Sequence, residues 1–164
     1  MVSLIVRYTV DKVVHGQKMV FKSILKKVLR ELETEIVNYK KVKVTYVENK
    51  QTPDIIINLV LQETINKECP SLRKESLSCS IRKTPNEIYF SYENWVTGAN
   101  FNGSLEEYHS YLIKHEILHC FPFYLDHPSK TILRKYCRKY GKLPIMYQQT
   151  KGPLQDCGNS SKLS

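Results

Sequence analysis

The sequence predicts an α+β domain: a twisted mixed sheet of about four strands, packed on a backing helix and a second, central helix. Short apolar runs with strand-like patterning recur along the first half of the chain. Two longer segments instead carry apolar residues at helical spacing. At 164 residues the chain suits a single domain, residues 1–164, with one real core.

Residues 3–10, SLIVRYTV, read as a strand. Arg7 interrupts the apolar run and Asp11 follows it. No small-residue cleavage site is evident, so the segment does not read as a signal peptide. Residues 20–39 place Phe21, Ile24, Leu25, Val28, Leu29, Leu32 and Ile36 on one stripe, with charges opposite, and predict the backing helix. Residues 41–48 alternate Val42, Val44 and Tyr46 with Lys and Thr, the pattern of a half-buried strand. Residues 54–61, DIIINLVL, are apolar without alternation, which suits a strand covered on both faces. A polar loop holding Cys69, Pro70 and Cys79 is expected next, then a strand over 87–92.

The central helix is expected over 104–120. Ser104 and Glu107 form a capping box in which each side chain satisfies an exposed amide of the first turn. Pro122 disfavours helical geometry at Phe121 and marks the stop. Tyr108, Leu112, His115 and His119 share one side of this helix, and Ile113, Ile117 and Cys120 lie opposite. A helix apolar on two sides is a buried one. The chain beyond it reads as irregular and rich in Lys, Pro, Gly and Gln.

The formal charge of +9, from 25 Lys and Arg against 16 Asp and Glu, favours acidic partners in general. The one concentrated run is Lys130, Arg134, Lys135, Arg138, Lys139 and Lys142. No zinc finger, RNA-recognition signature or glycine-rich phosphate loop accompanies it, so a solvated face is the better reading than a nucleic-acid site. No stretch approaches the roughly 20 apolar residues of a transmembrane helix. The five cysteines, Cys69, Cys79, Cys120, Cys137 and Cys157, include no C-x-x-C pair, and an odd count leaves one thiol over if the rest pair.

Within the central helix, "HEILH" places His115 and His119 four residues apart, so both imidazoles project from one face one turn apart and can share a metal ion. Glu116 lies about a quarter-turn round, placed to take a proton from a water rather than to ligate. The plain alternative is a helix with two structural histidines, but unpaired histidines on an apolar helix are costly. No Glu follows Glu116, which argues against a Glu ligand from a second, downstream helix. The short-range pattern H-E-x-x-H-x-x-G-x-x-H remains. Here the glycine is absent and His127 lies eight residues after His119 instead of six. His127 is the expected third ligand and Asp126 its rival. His15 is remote in sequence, and His109 points about 120° away from His115 on the helix.

These residues and others along the chain resemble a family. The stretches "VRYTV", "CPSLRKESLSC", "NWVTGANFNGSLEEYHSYLIKHEILH" and "LPIMYQQTKGPLQDCGN" are similar to those of an uncharacterised bacterial family of metzincin-like zinc metalloproteases, usually secreted or membrane-anchored. The resemblance implies one catalytic zinc ion on His115, His119 and His127, with Glu116 as general base. It implies a Met-turn carrying Met146 in the Pro-x-Met-x-Gln-Gln-Thr segment, and a peptide substrate laid along the sheet edge. It also implies disulfides Cys69–Cys79 and Cys137–Cys157, with Cys120 free. Paired cysteines favour a secreted or otherwise oxidising compartment. The chain departs from the family at the missing glycine, the third-histidine spacing, and the basic stretch "KTILRKYCRKYGK".

The expected activity is therefore zinc-dependent endopeptidase. A catalytically inactive zinc-binding interaction domain is the alternative, and a basic nucleic-acid-binding protein a further one.

Overall fold

The structure, a computed structural model, describes residues 1–70, 78–120, 126–149 and 157–162. The order is β1 (Val2–Val13), α1 (Lys18–Lys40), β2 (Val42–Glu48), β3 (Ile55–Val60), α2 (Gln62–Glu68), β4 (Ser78–Ile81), β5 (Asn86–Ser91), α3 (Tyr92–Thr97), α4 (Leu105–His119) and α5 (Lys130–Tyr140). The fold is α+β.

The sheet runs β2-β1-β3-β5-β4. Its first four members are parallel, and β4 pairs antiparallel with β5 at the edge. The sheet is thus mixed, as expected, but has five strands rather than about four. The extra strand is β4, in a region the sequence reading left as polar loop. Four residues, Ser-Cys-Ser-Ile, are too short to show a period, and pairing with β5 alone makes them a strand. α2 in the same region and α3 after β5 are likewise short helices without a readable stripe. The "irregular" region after α4 contains a helix, α5, capped by Ser129 and ended by Gly141 in the left-handed conformation.

β3 is central, as its unbroken apolar run predicts. Ile55, Ile57 and Leu59 enter the main core with α1 and α4, and Val60 joins a smaller cluster with Ile65, Cys69, Cys79 and Tyr89 on the other face. β5 divides in the same way: Ile88 and Phe90 face the main core, Tyr89 the smaller one. Buried Asn58 accepts from the Lys12 amide and donates to the Ile88 carbonyl, so its amide is satisfied.

Of the predicted stripe, α1 buries Phe21, Leu25, Val28, Leu29, Leu32 and Ile36, and Ile24 packs half-buried against the core. α4 is buried from Tyr108 to Leu118, apolar and polar residues alike. Its capping box is formed: Ser104 Oγ accepts from Glu107 N at 3.1 Å, and Glu107 accepts from Ser104 N at 2.8 Å. The helix ends at His119, with Cys120 extended. Phe121 and Pro122, the predicted stop, lie outside the described residues, as do 71–77 and 150–156 with Thr150 of the Met-turn pattern.

Candidate metal centre

α4 carries His115 and His119 on successive turns, and His127 reaches them from the segment that precedes α5. The three Nε2 atoms converge: His115 to His119 is 3.2 Å, His115 to His127 3.2 Å, and His119 to His127 3.1 Å. Their burial grades from buried His115 through half-buried His119 to exposed His127, so the cluster sits at the mouth of the core.

The donor set can be tested against a metal. Tetrahedral zinc with bonds of about 2.0–2.1 Å sets its nitrogen ligands about 3.3 Å apart. The observed triangle has that size. Mutual hydrogen bonding is the weaker account, because one N–H cannot point at two nitrogens of a near-equilateral triangle. The tautomer agrees. His115 Nδ1 lies 2.8 Å from the Ile145 carbonyl and must carry its proton toward it, leaving Nε2 with a lone pair facing the triangle. Burial pushes His115 down to about 4, against the opposing pull of Glu116 and the Ile145 carbonyl. Its imidazole is therefore neutral and available as a donor at neutral pH. The residues present fit a metal ion.

Of the rival ligands, Asp126 is exposed and contributes no atom to this cluster. His15 is exposed on the chain after β1. His109 stacks on Trp95 at 3.7 Å, with Nε2 2.8 Å from the Trp95 carbonyl, and is a structural histidine.

Glu116 is buried and contributes no atom to the histidine cluster. Its carboxylate turns to β4. Ser78 Oγ donates to Oε1 at 2.5 Å, and Ser80 Oγ donates to Oε2. Sequence reading missed both serines, since only the pairing of β4 at the edge brings them over α4. A Ser-x-Ser spacing in a strand is the one signal that could have marked them, because alternate residues share a face. Cys120, unpaired and buried, is pushed up to about 12 by burial, so its thiol stays protonated.

The floor of the site is the turn Pro144–Tyr147, closed by Tyr147 N to Pro144 O at 3.0 Å. Ile145 accepts from His115. Tyr111 Oη donates to the Tyr147 carbonyl at 2.9 Å and accepts from Gln149 N at 3.1 Å. Gln149 in turn exchanges two bonds of 2.7 Å with the Ser160 backbone. Met146 is buried in the main core. The cysteine pairs stand at bonding distance, Cys69–Cys79 with α-carbons 6.8 Å apart and Cys137–Cys157 with 5.7 Å. The second ties α5 to the segment after the turn. These pairs fit an oxidising compartment, and no described helix is long and apolar enough to cross a membrane.

No curated protein matches the chain. Among solved structures it is similar to that of myroilysin, at 14% identity and a TM-score of 0.39, over 98% of this chain and 75% of that one. The model of one family matches residues 3–158, nearly the whole chain from β1 through the turn beneath the histidines, and the protein belongs to that family, described as a protein of unknown function (DUF3152).

Proposed function

We propose that the chain is a zinc-dependent endopeptidase domain of metzincin type. The observation that carries this reading is the triangle of Nε2 atoms at 3.1–3.2 Å, with a buried carboxylate one residue from its first member. His115, His119 and His127 hold the ion, and Ile145 orients the first of them. A zinc ion, when bound, supplies the Lewis acidity that peptide hydrolysis needs. Glu116 accepts the proton of the attacking water at its carboxylate and passes it to the leaving amine. The substrate is a polypeptide. β4 is the last of the described strands in the sheet and runs past Glu116, so an extended peptide can add to its outer edge by main-chain hydrogen bonds. Met146 packs under the site from the turn that holds His115. The cysteine pairs suit secretion.

Elemental analysis of the purified protein, joined to cleavage of an unfolded protein substrate, tests the reading. Wild type is expected to hold one zinc per chain and to cleave. Glu116→Gln keeps the zinc and loses activity by about 10²–10⁴-fold, the usual contribution of general acid–base catalysis. His119→Ala and His127→Ala lose the metal, whereas Asp126→Ala keeps it. Zinc binding without cleavage in wild type identifies the domain as a zinc-binding interaction module instead. A wild type with no zinc makes the histidines structural.

A further inference from the structure

β4 carries three consecutive side chains with different tasks. Ser78 and Ser80, two apart, donate to the two oxygens of Glu116, one each. Ser80 Oγ also lies 3.4 Å from the Glu116 carbonyl. Cys79 between them points to the opposite face, where it joins Cys69 at the end of α2 and packs with Ile65 and Tyr89. The strand is short and at the sheet edge, with hydrogen bonds to β5 on one side only among the described strands. A four-residue edge strand is the least constrained part of a sheet. Here it is fastened at its centre by a covalent bond.

We propose that Ser78 and Ser80 are positioning residues for Glu116, and that the Cys69–Cys79 disulfide holds them in register. This rests on the zinc-endopeptidase reading and deepens it. Glutamate has rotatable bonds that a helix does not fix, and a free carboxylate beside the cluster could swing toward the ion or away from the water. Two hydroxyls, one per oxygen, fix the plane and the reach of the carboxylate. The same strand offers its edge to the peptide. The segment that receives substrate is thus the segment that aims the base, so a peptide seated in register meets an aligned Glu116. Reduction of Cys69–Cys79 unfastens the strand and loosens both hydroxyls together. A structural reading of the serines, as mere partners for a buried polar group, predicts only a change in stability.

The experiment compares wild type with Ser78→Ala, Ser80→Ala, the double variant, Ser80→Thr, and Cys69→Ser/Cys79→Ser. Three quantities are read on each: zinc content, kcat and KM separately, and the side-chain carboxyl ¹³C resonance of Glu116 in metal-free protein labelled at glutamate. That resonance is assigned by its loss in Glu116→Gln. The double alanine variant is expected to keep its zinc and KM, to lose kcat by about 10- to 100-fold, the scale set by a misplaced catalytic group, and to shift the Glu116 resonance. Ser80→Thr restores the hydroxyl in a residue that suits strands and is expected to recover kcat, where Ser80→Ala does not. The cysteine double variant is expected to show the same kcat loss and resonance shift in milder form. An unmoved resonance in the double alanine variant overturns the proposal whether or not the protein cleaves anything. So does an unchanged kcat in an active wild-type background. If the double variant does not fold, the single variants and Ser80→Thr decide on the same measurements. A wild type that binds no zinc and cleaves nothing removes the functional reading itself, and the positioning role falls with it; the two failures are told apart by the wild-type control.

Discussion

The five histidines of the chain have been given different surroundings, and those surroundings assign their work. His115 and His119 were legible as a pair because four-residue spacing on a helix has one geometric meaning. His109 was legible only as pointing elsewhere. Its partner is Trp95 of α3, a short helix with no readable stripe, so the stack could not be foreseen. That stack gives a spectroscopic handle. Burial pushes His109 below its ordinary value near 6.5, with the Trp95 carbonyl pulling the other way. An imidazolium quenches an indole stacked on it, and Trp95 is the sole tryptophan. Fluorescence of the folded protein should therefore fall as pH drops, with a midpoint below 6.5, and His109→Phe should abolish the transition. The sign for stability follows: the unfolded chain takes up this proton first, so the His109 contribution is present above pH 6.5 and is lost as pH falls through the folded value. Met146 packs in the core from within the turn whose Ile145 carbonyl holds His115. Met146→Leu, nearly equal in volume, should cost less than about 1.5 kcal/mol and leave zinc content unchanged.

At the scale of the element, α4 is held by polar contacts as well as by apolar ones. Lys114 is 1% exposed, and its ammonium reaches Glu31 at 3.2 Å and Glu35 at 2.9 Å on α1, with the Ser161 carbonyl at 3.0 Å. Ser110 and Lys114, four residues apart on α4, face α1, where Glu31 and Glu35, spaced four apart in turn, make a matching surface. Removing one side of this set takes ion-pair partners from the other, and the two removals differ. Lys114→Met leaves carboxylates that still reach water, and should cost about 2 kcal/mol in a denaturant titration. Glu31→Ala/Glu35→Ala leaves a buried ammonium with only the Ser161 carbonyl of this set and should cost more. Equal costs in the two variants contradict the asymmetry. The helices read best from sequence were the long ones, α1 and α4, where a stripe of several turns outweighs local noise. α2, α3 and β4 span less than two turns or a few residues, and take their form from what they pack against.

Across the whole molecule, the cysteine pairs close two loops of the chain. Cys69–Cys79 spans 10 residues and Cys137–Cys157 spans 20, so each contributes on the order of 3 kcal/mol by constraining the unfolded chain. Alkylation of the oxidised protein under denaturing, non-reducing conditions should modify one cysteine, Cys120, and five after reduction. Five without reductant means the bonds are absent from that preparation. The positive charge gathers on α5, whose Lys130, Arg134, Lys135, Arg138 and Lys139 fall on one half of the helix and are exposed, opposite Leu133, which is buried.

What the sequence determined by itself is what short-range periodicity can encode. It set the strands β1, β2 and β3 as segments, the stripe of α1, the capped start of α4, and the placing of His115 and His119 on one face with Glu116 about a quarter-turn round. What only the tertiary structure decided involves partners far apart in the chain. His127 completes the triangle although its loop is longer than the standard pattern, because the meeting point of three nitrogens depends on where the chain returns and not on how many residues it uses. Ser78 and Ser80 reach Glu116 across 38 and 36 residues, and Ile145 reaches His115 across 30. Such contacts are set by the order of strands in the sheet and the docking of a turn on a buried helix, and no local pattern carries that information.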